Sequence, residues 1–448
     1  MFLNNFWICI LWGRNVYILS EICEVMKIAL VSMGETLGKL PVLEHCCYGF
    51  EDDIRFHHEI YLFQFALRNR GYDAKHYDGN FNGEEDVLDK LGKERPDRIF
   101  YYVYTPYIRK KEEFMKKLSK LGKLSLVITP YYWREKILKE FPFVEDVYYD
   151  GEKAIEVDTT NTKIDYEEIN IEPFKTGRFF PLIVSKYCPY QCTYCNARKT
   201  GYMERNLDII REELEYLKKN GFKKFLLSGN ILTMRRESFF KICKIMEELD
   251  LEWSGDGRVD HMKDDEMFEA VKKSRGTMLF GAESASQDVL DKMKKGTTLK
   301  QLIETAEKFH KLGIPFRYTF MFGFPWDSYK TFEEMIELRK KVGALNYQVN
   351  MVASYPGQPL FEEMKELNLV NESEMDYEDF SWAKLPLAPT LYLTKKEVAD
   401  LSKKIMIRSA INKNVIKHLL RTRKLRDYPG TVSRGMKLLI HGRRTWRE

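Results

Sequence analysis

The chain has 448 residues, with a hydrophobic content of 44% and a charged content of 31%, which is ordinary for a soluble protein of two or three globular domains. Its net charge of +5 is too small to indicate a nucleic acid partner by itself. The eight cysteines are too few and too unevenly placed for a disulfide framework, which favours a reducing, cytoplasmic environment.

Residues 1–25 form an N-terminal extension with an apolar run at 6–12. That run is far too short to span a bilayer, and the extension lacks the basic lead and the cleavage site of a signal peptide. We therefore expect no membrane association. Met26 opens a strand-like segment, so two interpretations stay open: translation begins at Met26, or it begins at Met1 and the extension packs on the fold.

Residues 26–155 alternate between strand-like and helix-like segments. Five apolar runs predict strands at 28–32, 74–77, 98–104, 124–129 and 144–149. Amphipathic stretches predict helices at 55–70, 84–91, 109–121 and 133–140. This alternation predicts an α/β fold whose first domain is a Rossmann-like, doubly wound parallel sheet. Ligands of such sheets bind at the carboxyl ends of the strands.

A linker is predicted at 156–180, and a second alternation begins after it. Strands are predicted at 182–185, 224–228, 252–257, 277–281, 317–322 and 348–353. Helices are predicted at 206–220, 236–249, 264–273, 286–294, 299–312 and 328–342. Six strand–helix units predict a (βα)6 partial TIM barrel over 181–365. Residues 366–448 are predicted to be a basic, helical C-terminal region, for which we favour a solvated face over an RNA surface.

Three cysteines, Cys188, Cys192 and Cys195, lie directly after the first predicted barrel strand, in Lys186-Tyr-Cys-Pro-Tyr-Gln-Cys-Thr-Tyr-Cys-Asn196. Three thiolates on one tight loop suit three irons of a cubane 4Fe–4S cluster. The loop offers no fourth nearby cysteine, so one iron would stay open to a small molecule. Two other interpretations remain: a zinc site, although structural zinc usually takes four ligands in two pairs, and free buried thiols.

The C-x3-C-x2-C spacing resembles the signature of the radical S-adenosylmethionine (SAM) superfamily. In that family the open iron chelates the amino and carboxylate groups of SAM, and an electron from the cluster splits the sulfonium to give a 5′-deoxyadenosyl radical. The resemblance implies a partial barrel with the cluster loop after its first strand, where these cysteines stand. It also implies a 4Fe–4S cluster and SAM as cofactors, and an electron donor such as a ferredoxin or flavodoxin.

Three downstream segments resemble parts of the family that contact SAM. Tyr194 stands where the family places an aromatic residue beside the adenine. Ser228 and Asn230 stand where a polar group, often acidic, contacts the SAM amino group, but this chain has no acidic residue there and Ser-Gly-Asn is also ordinary turn chemistry. Arg258 stands where many members place an arginine near the SAM carboxylate or the mouth of the site, with a surface salt bridge as the alternative.

The segment 281–284, Gly-Ala-Glu-Ser, gives the strongest match after the cysteines. The resemblance implies that Glu283 accepts hydrogen bonds from the ribose hydroxyls or the ammonium of SAM, and that Ser284 donates to its carboxylate. A carboxylate in the mouth of a barrel is costly unless it is paired, which favours a ligand role. Gly323 lies in a segment that resembles the border of the adenine site, where a glycine lets the backbone approach the ring.

The resemblance extends to the branch of the superfamily that has an N-terminal cobalamin-binding domain. The segment 150–152, Asp-Gly-Glu, resembles the end of such domains. Two departures stand against it: 129–132, Thr-Pro-Tyr-Tyr, replaces the usual Gly-Gly, and the Asp-x-His-x-x-Gly motif is absent, although His45 lies in the corresponding loop. Many members of the family lack that histidine, so cobalamin binding stays open.

The remaining cysteines narrow the class of enzyme. Cys243 lies on an apolar helical stripe and is predicted to be in the core. No cysteine follows it, which argues against auxiliary clusters. The N-terminal cysteines do not resemble the set that holds a second cluster in methylthiotransferases.

These features predict a radical SAM enzyme with one 4Fe–4S cluster, and cobalamin-dependent methyl transfer to a small or macromolecular substrate is favoured. A cyclase or rearrangement enzyme without cobalamin is the first alternative. A non-catalytic iron–sulfur binding or sensing protein is the second, because the acidic group expected beside Ser228 is missing.

Overall fold

The computed structural model describes residues 10–12, 15–17, 25–33, 57–176, 179–197, 201–342, 346–381 and 386–410. The strands are β1 Ile10–Trp12, β2 Asn15–Tyr17, β3 Lys27–Ser32, β4 Asp73–Asp78, β5 Arg98–Tyr104, β6 Lys123–Thr129, β7 Asp146–Tyr148, β8 Phe180–Ile183, β9 Ser185–Lys186, β10 Met203–Glu204, β11 Lys224–Ser228, β12 Glu252–Gly257, β13 Gly276–Glu283, β14 Phe316–Phe322 and β15 Asn346–Met351. The α-helices are α1 His58–Asn69, α2 Gly79–Glu94, α3 Glu112–Leu118, α4 Arg134–Glu140, α5 Gly151–Ala154, α6 Leu207–Lys219, α7 Arg236–Glu248, α8 Asp265–Lys273, α9 Gln287–Lys292, α10 Leu299–Leu312, α11 Tyr329–Val342, α12 Pro359–Glu366 and α13 Lys395–Ala410.

The first sheet contains five parallel strands in the order β4-β3-β5-β6-β7. Strand β3 is apolar on both faces, with Ala29 and Val31 in one hydrophobic cluster and Ile28 and Leu30 in another. Helix α1 contributes to the second cluster, whereas α2 and α3 contribute to the first, so helices cover both faces. Parallel strands buried on both faces are continuous apolar runs in the sequence. The predicted doubly wound α/β sheet is confirmed.

The second sheet contains six parallel strands in the chain order β8-β11-β12-β13-β14-β15. Side chains alternate across it: Trp253 of β12 donates to Ser274 at the end of α8 (3.0 Å), and Tyr318 of β14 donates to the carbonyl of Leu302 in α10 (2.6 Å). These side chains face the outer helices, so their neighbours along each strand face the concave inner side, here called the lumen. Consecutive parallel strands with outer helices form the predicted (βα)6 partial barrel.

Two details differ from the prediction. The segment 156–180, expected to be a linker with little periodicity, contributes Tyr166 and Phe174 to the same hydrophobic cluster as the barrel. Strand β8 ends at Ile183 instead of residue 185, because Ser185 pairs with Glu204 in the small antiparallel sheet of β9 and β10. The chain thus passes from the barrel sheet into this small sheet before it reaches the cysteine loop.

Some predicted features lie outside the described residues. They are His45, most of the N-terminal extension and the basic residues beyond 410. Within the described part of 366–448, the helical prediction agrees with α13, whereas the described residues between α12 and α13 contain only the short 3-10 turns Glu372–Glu374 and Tyr377–Phe380. Among the helices of the described residues, none combines the length and the apolar character that a membrane crossing requires.

Candidate active site

The three cysteines lie on one short turn after β9. Cys188 and Cys192 are buried, and Cys195 is partly accessible to solvent. The backbone N–H of Cys195 donates to the carbonyl of Cys192 (3.2 Å), which closes the turn between the last two cysteines. The cysteines therefore stand at the carboxyl end of the barrel, where ligands of parallel α/β folds bind.

Two later parts of the barrel hold this loop in place. The backbone N–H of Thr193 donates to the carbonyl of Met293 (3.0 Å), and the carbonyl of Thr193 accepts from the N–H of Leu360 (3.2 Å). The amide of Gln358 donates to Asn196. Met293 follows α9, and Leu360 lies at the start of α12. The shape of the cysteine loop thus depends on the fourth and sixth strand–helix units.

Two of the thiols, those of Cys188 and Cys195, are costly to ionise in this environment without a metal. Burial raises the pKa of Cys188, and it raises the pKa of Cys195 to about 11. Backbone N–H groups of Tyr190 and Ala197, together with the Lys295 ammonium, act in the opposite direction. Within the described residues, no three His, Cys, Asp or Glu side chains gather around a point suited to one metal ion. A cubane cluster does not require such a point, because each cysteine binds a separate iron.

Arg258 lies against the cysteine loop. Its guanidinium carbon is 3.8 Å from the ring centroid of Tyr190, and its Nη2 donates to the carbonyl of Lys295 (2.7 Å). Its Nε donates to Asp260 (3.0 Å), and the residue is only 6% exposed. Arg258 thus forms a salt bridge with Asp260, but the two side chains are largely buried and do not lie on the surface. The guanidinium supports the loop, and its contact with SAM stays a prediction.

Glu283 and Lys295 form a buried ion pair beside the cysteine loop. The Nζ of Lys295 lies 3.0 Å from Glu283 Oε1 and 3.4 Å from the hydroxyl of Tyr194. Burial, and next the Glu283 carboxylate, raise the pKa of Tyr194, which keeps its hydroxyl protonated. Two predicted residues, Tyr194 and Glu283, thus meet through a lysine that the sequence did not single out.

The backbone at Glu283 is unusual. Its φ of 64° lies in the left-handed region, at the point where the pairing of β13 with β14 shifts register. A residue other than glycine is held there only when its surroundings fix it, and such residues cluster at functional sites. Gly281 leaves the space for its side chain, because a Cβ there would lie 2.2 Å from Glu283 Oε1.

Two further predicted residues, Ser284 and Gly323, support turns of the backbone. The hydroxyl of Ser284 accepts from the N–H of Ser286 (3.1 Å) directly before α9. Gly323 has a φ of 106° and donates its N–H to Asp327 (2.8 Å). A Cβ on Gly323 would lie 3.0 Å from the side chain of Val398 in α13. Their contacts with SAM stay predictions.

Ser228 and Asn230 lie beside the start of the cysteine loop. The carbonyl of Ser228 accepts from the N–H of Val184 (2.7 Å), and a Cβ on Gly229 would lie 2.3 Å from the hydroxyl of Ser185. Ser228 is half-buried and Asn230 is exposed. The segment therefore touches the chain that leads into the cysteines, and it brings no acidic group there.

Asp256 is an acidic residue of the lumen that the sequence analysis missed. It lies in β12 between two glycines, and it alternates with Trp253, whose side chain faces the outer helices. Burial raises the pKa of Asp256 to about 7. Its place inside a strand was the available signal, because aspartate is depleted in strands.

The first sheet contacts the cysteine loop through a buried lysine. Lys186, two residues before Cys188, pairs with Glu152, and its Nζ lies 3.6 Å from Glu59. The hydroxyl of Tyr187 donates to Asp150 (2.7 Å). Burial alone would lower the pKa of Lys186, but the acidic residues hold it above its usual value. The segment 150–152 is therefore joined to the residues that precede the first cysteine.

Tyrosines line the carboxyl edge of the first sheet. Tyr131 follows β6 and Tyr149 follows β7; they are 38% and 40% exposed, and their rings lie 5.9 Å apart. Tyr104 at the end of β5 lies 5.6 Å from Tyr107. The strand order reverses at β3, which lies between β4 and β5, and ligands of such sheets bind at the carboxyl ends of the strands there. Tyr104 ends β5 beside β3, whereas Tyr131 and Tyr149 follow the next two strands of the sheet. The edge presents aromatic surface, where the usual Gly-Gly would present only backbone.

Comparison with known families assigns the barrel. Residues 182–339 match the family described as the radical SAM superfamily. This chain carries a radical SAM domain. The prediction of a radical SAM domain is confirmed for these residues, and members of this superfamily use a 4Fe–4S cluster and SAM and need a reductant.

A curated relative is the bacteriochlorophyllide d C-12(1)-methyltransferase of Chlorobaculum tepidum. It is 26% identical over 201 residues, which cover 43% of this chain and 44% of the relative. The chain spans about half the length of the first curated relatives that it matches.

Two solved structures share the fold. OxsB, a cobalamin-dependent SAM radical enzyme with aqua-cobalamin and SAM bound, is similar at a TM-score of 0.64 and 14% identity, over 91% of this chain and 70% of that chain. TsrM from Kitasatospora setae, a radical SAM methyltransferase with cobalamin and a 4Fe–4S cluster bound, is similar at a TM-score of 0.58 and 13% identity, over 77% and 78%. At these identities the likeness shows the fold.

Proposed function

We propose that this protein is a radical SAM methyltransferase that uses cobalamin as its methyl carrier. The observation that carries the proposal is the position of the cysteine loop, which is held against Arg258 and the Glu283–Lys295 pair at the carboxyl end of the barrel. We assign residues 181–365 as the radical SAM core and 26–155 as the cobalamin-binding unit.

Cys188, Cys192 and Cys195 would hold three irons of the cluster. Their donor chemistry fits, since soft thiolates are the usual ligands of iron–sulfur clusters. The N–H group of Tyr190 donates to the sulfur of Cys188, and that of Ala197 donates to the sulfur of Cys195. Such hydrogen bonds stabilise a charged thiolate. When bound, the cluster and SAM supply reductive cleavage of the SAM sulfonium. A ferredoxin or flavodoxin would deliver the electron.

The surrounding side chains would orient SAM and keep water out. Lys295 supplies a buried cation for the SAM carboxylate, and Glu283 supplies an acceptor for its ribose hydroxyls. Tyr194 packs edge to face on Phe324, with ring centroids 5.8 Å apart, and would border the adenine. Gly323, whose φ excludes most other residues, would bring the backbone of the fifth strand close to the same ring.

The first sheet supports the cobalamin assignment. Its carboxyl edge, where such folds bind ligands, is aromatic, with Tyr131 and Tyr149 partly exposed at one and two strands from β5. The fold that this chain shares with OxsB and TsrM over most of its length, and its sequence similarity to methyltransferases, add further support.

The cluster assignment is tested by alanine variants of the three cysteines. Each single variant should lose the reductive formation of 5′-deoxyadenosine from SAM under anaerobic conditions. Cys243→Ala is the matched control, because Cys243 is buried in α7 among apolar side chains and should leave product formation intact. Retained formation in the triple variant of Cys188, Cys192 and Cys195 would overturn the assignment.

The cobalamin assignment is tested on protein expressed with cobalamin and purified without oxygen. The absorption spectrum and mass spectrometry should show near-stoichiometric corrinoid beside the iron–sulfur band. A cluster without corrinoid would contradict methyl transfer through cobalamin and would favour a cyclase or rearrangement enzyme. An intact cluster that never yields 5′-deoxyadenosine would favour an iron–sulfur binding protein.

A further inference from the structure

The side chain of Asp256 is half-buried, and its carboxyl group has no partner within the part of the chain that the structure describes. Leu279 of β13 is its register neighbour, and this side chain is apolar and 3% exposed. The next residue along that row is Arg317 of β14. It lies two strands from Asp256, or about 10 Å at the usual strand spacing. Burial is the only cause that shifts the pKa of Asp256, so no nearby cation stabilises the carboxylate.

An unpaired carboxyl group inside a protein indicates a ligand, because burial of a charge is costly unless a partner arrives. The carbonyl of Asp256 accepts from the N–H of Leu232 (2.8 Å), so β12 is fastened to the loop that follows Ser228 and Asn230. That loop is the one that touches Ser185, three residues before the first cysteine. Asp256 therefore belongs to the side of the lumen nearest the cysteine loop.

The order of the strands places Asp256 on the path of a ligand that joins the two halves of the site. The cysteines follow the chain that leaves β8, whereas Glu283 ends β13, and β11 and β12 lie between them. A molecule that reaches from an iron at the cysteine loop to Glu283 must cross the lumen face of these two strands. On that face Ser228 offers a hydroxyl and Asp256 offers a carboxylate.

We propose that Asp256 binds the amino group of SAM and replaces the acidic residue that is missing beside Ser228. This inference rests on the proposed SAM-dependent function. An amine that coordinates iron through its lone pair keeps two N–H bonds, and an ionised carboxylate accepts such bonds. The carboxylate would come from β12, the third strand of the barrel. The segment 228–230 can therefore border the amino group without an acidic residue of its own.

The test compares two ligands on two proteins with intact clusters. The dissociation constants of SAM and of its analogue with hydrogen in place of the amino group are measured anaerobically for the wild type and for Asp256→Asn. Asp256→Asn should weaken SAM binding roughly 10- to 100-fold, as expected for a lost hydrogen bond to a charged group, and should leave the affinity for the analogue unchanged. In Asp256→Asn, the SAM concentration that produces half of the spectral change of the reduced cluster should rise by the same factor.

Glu252→Gln is the matched control. Glu252 lies at the start of the same strand, is half-exposed and pairs with Lys224 (2.7 Å), so its variant should bind both ligands as the wild type does. Equal weakening of both ligands by Asp256→Asn, or no weakening, would overturn the proposal. The unchanged analogue also shows that the variant is folded. If the wild type with its cluster fails to bind SAM, the proposed function fails first, and the role of Asp256 fails with it.

Discussion

The pair of Lys186 and Glu152 offers the sharpest test of how the two sheets are joined. The two side chains are 9% and 4% exposed, so each charge depends on the other for its stability. Breaking such a pair by removing one partner costs about 3–5 kcal/mol, because the remaining charge stays buried. Glu59, 3.6 Å from the ammonium and half-exposed, retains part of the attraction. We therefore expect Glu152→Gln to lose about 3 kcal/mol, the low end of that range.

The assay is urea denaturation under anaerobic conditions, with the change in slope recorded as well as the midpoint. Glu212→Gln is the control, because Glu212 and Lys163 form an exposed pair (2.6 Å) whose loss should cost less than about 1 kcal/mol. The double variant Lys186→Met with Glu152→Gln should be more stable than Glu152→Gln alone, because it leaves no buried cation without its partner.

A functional readout accompanies the loss of stability. Lys186 precedes Cys188 by two residues, so displacement of its side chain should lower the iron content or alter the spectrum of the reduced cluster. An effect of Glu152→Gln no larger than that of Glu212→Gln would refute the reasoning. So would a double variant that is less stable than both single variants.

Three other variants test separate parts of the structure. Gly323→Ala should lose about 1–3 kcal/mol of stability and weaken SAM binding, because Gly323 has a φ of 106° and the new Cβ would meet Val398. Calorimetry measures the loss of stability, and SAM titration measures the affinity. Burial lowers the pKa of His58 to about 4 in the folded protein. As the pH falls, the unfolded chain therefore binds a proton at His58 before the folded protein does. The free energy of unfolding should therefore drop by about 2 kcal/mol between pH 7.5 and pH 5, and His58→Gln should flatten that slope. Arg258→Met should reduce cluster retention during anaerobic gel filtration, whereas Arg235→Met, whose guanidinium is exposed, should not.

The sequence predicted the two sheets well because both consist of parallel strands that are buried on at least one face. Such strands appear as apolar runs, and most of their bounds agree with the structure to within two residues; helix α10 agrees in full. The remaining differences have local causes. Strand β13 extends to Glu283 because a shift in register carries it past the apolar run. The segment 156–180 lacks periodicity, since only scattered residues such as Phe174 pack inward.

The site was harder to predict than the fold. The cysteine spacing is local, so the sequence could reveal it directly. Lys295 is one of two lysines that directly follow α9, and only the fold shows that this one turns to Glu283 and Tyr194. Asp256 is not part of any local pattern, and its importance depends on which face of β12 points into the lumen. A single sequence does not reveal contacts between segments that are distant along the chain.

The structure also shows why cluster and first sheet should be considered together. Two residues lead into the first cysteine, and both contact side chains of 150–152. Lys186 pairs with Glu152, and the hydroxyl of Tyr187 donates to Asp150. Those side chains follow β7, one strand from the exposed Tyr131. A ligand at the tyrosine edge and a cluster on the cysteine loop would therefore share one short, buried chain of contacts. Since the acidic residues hold the pKa of Lys186 above its usual value, the ammonium stays charged, and we expect a change in either cofactor to act through movement of the pair.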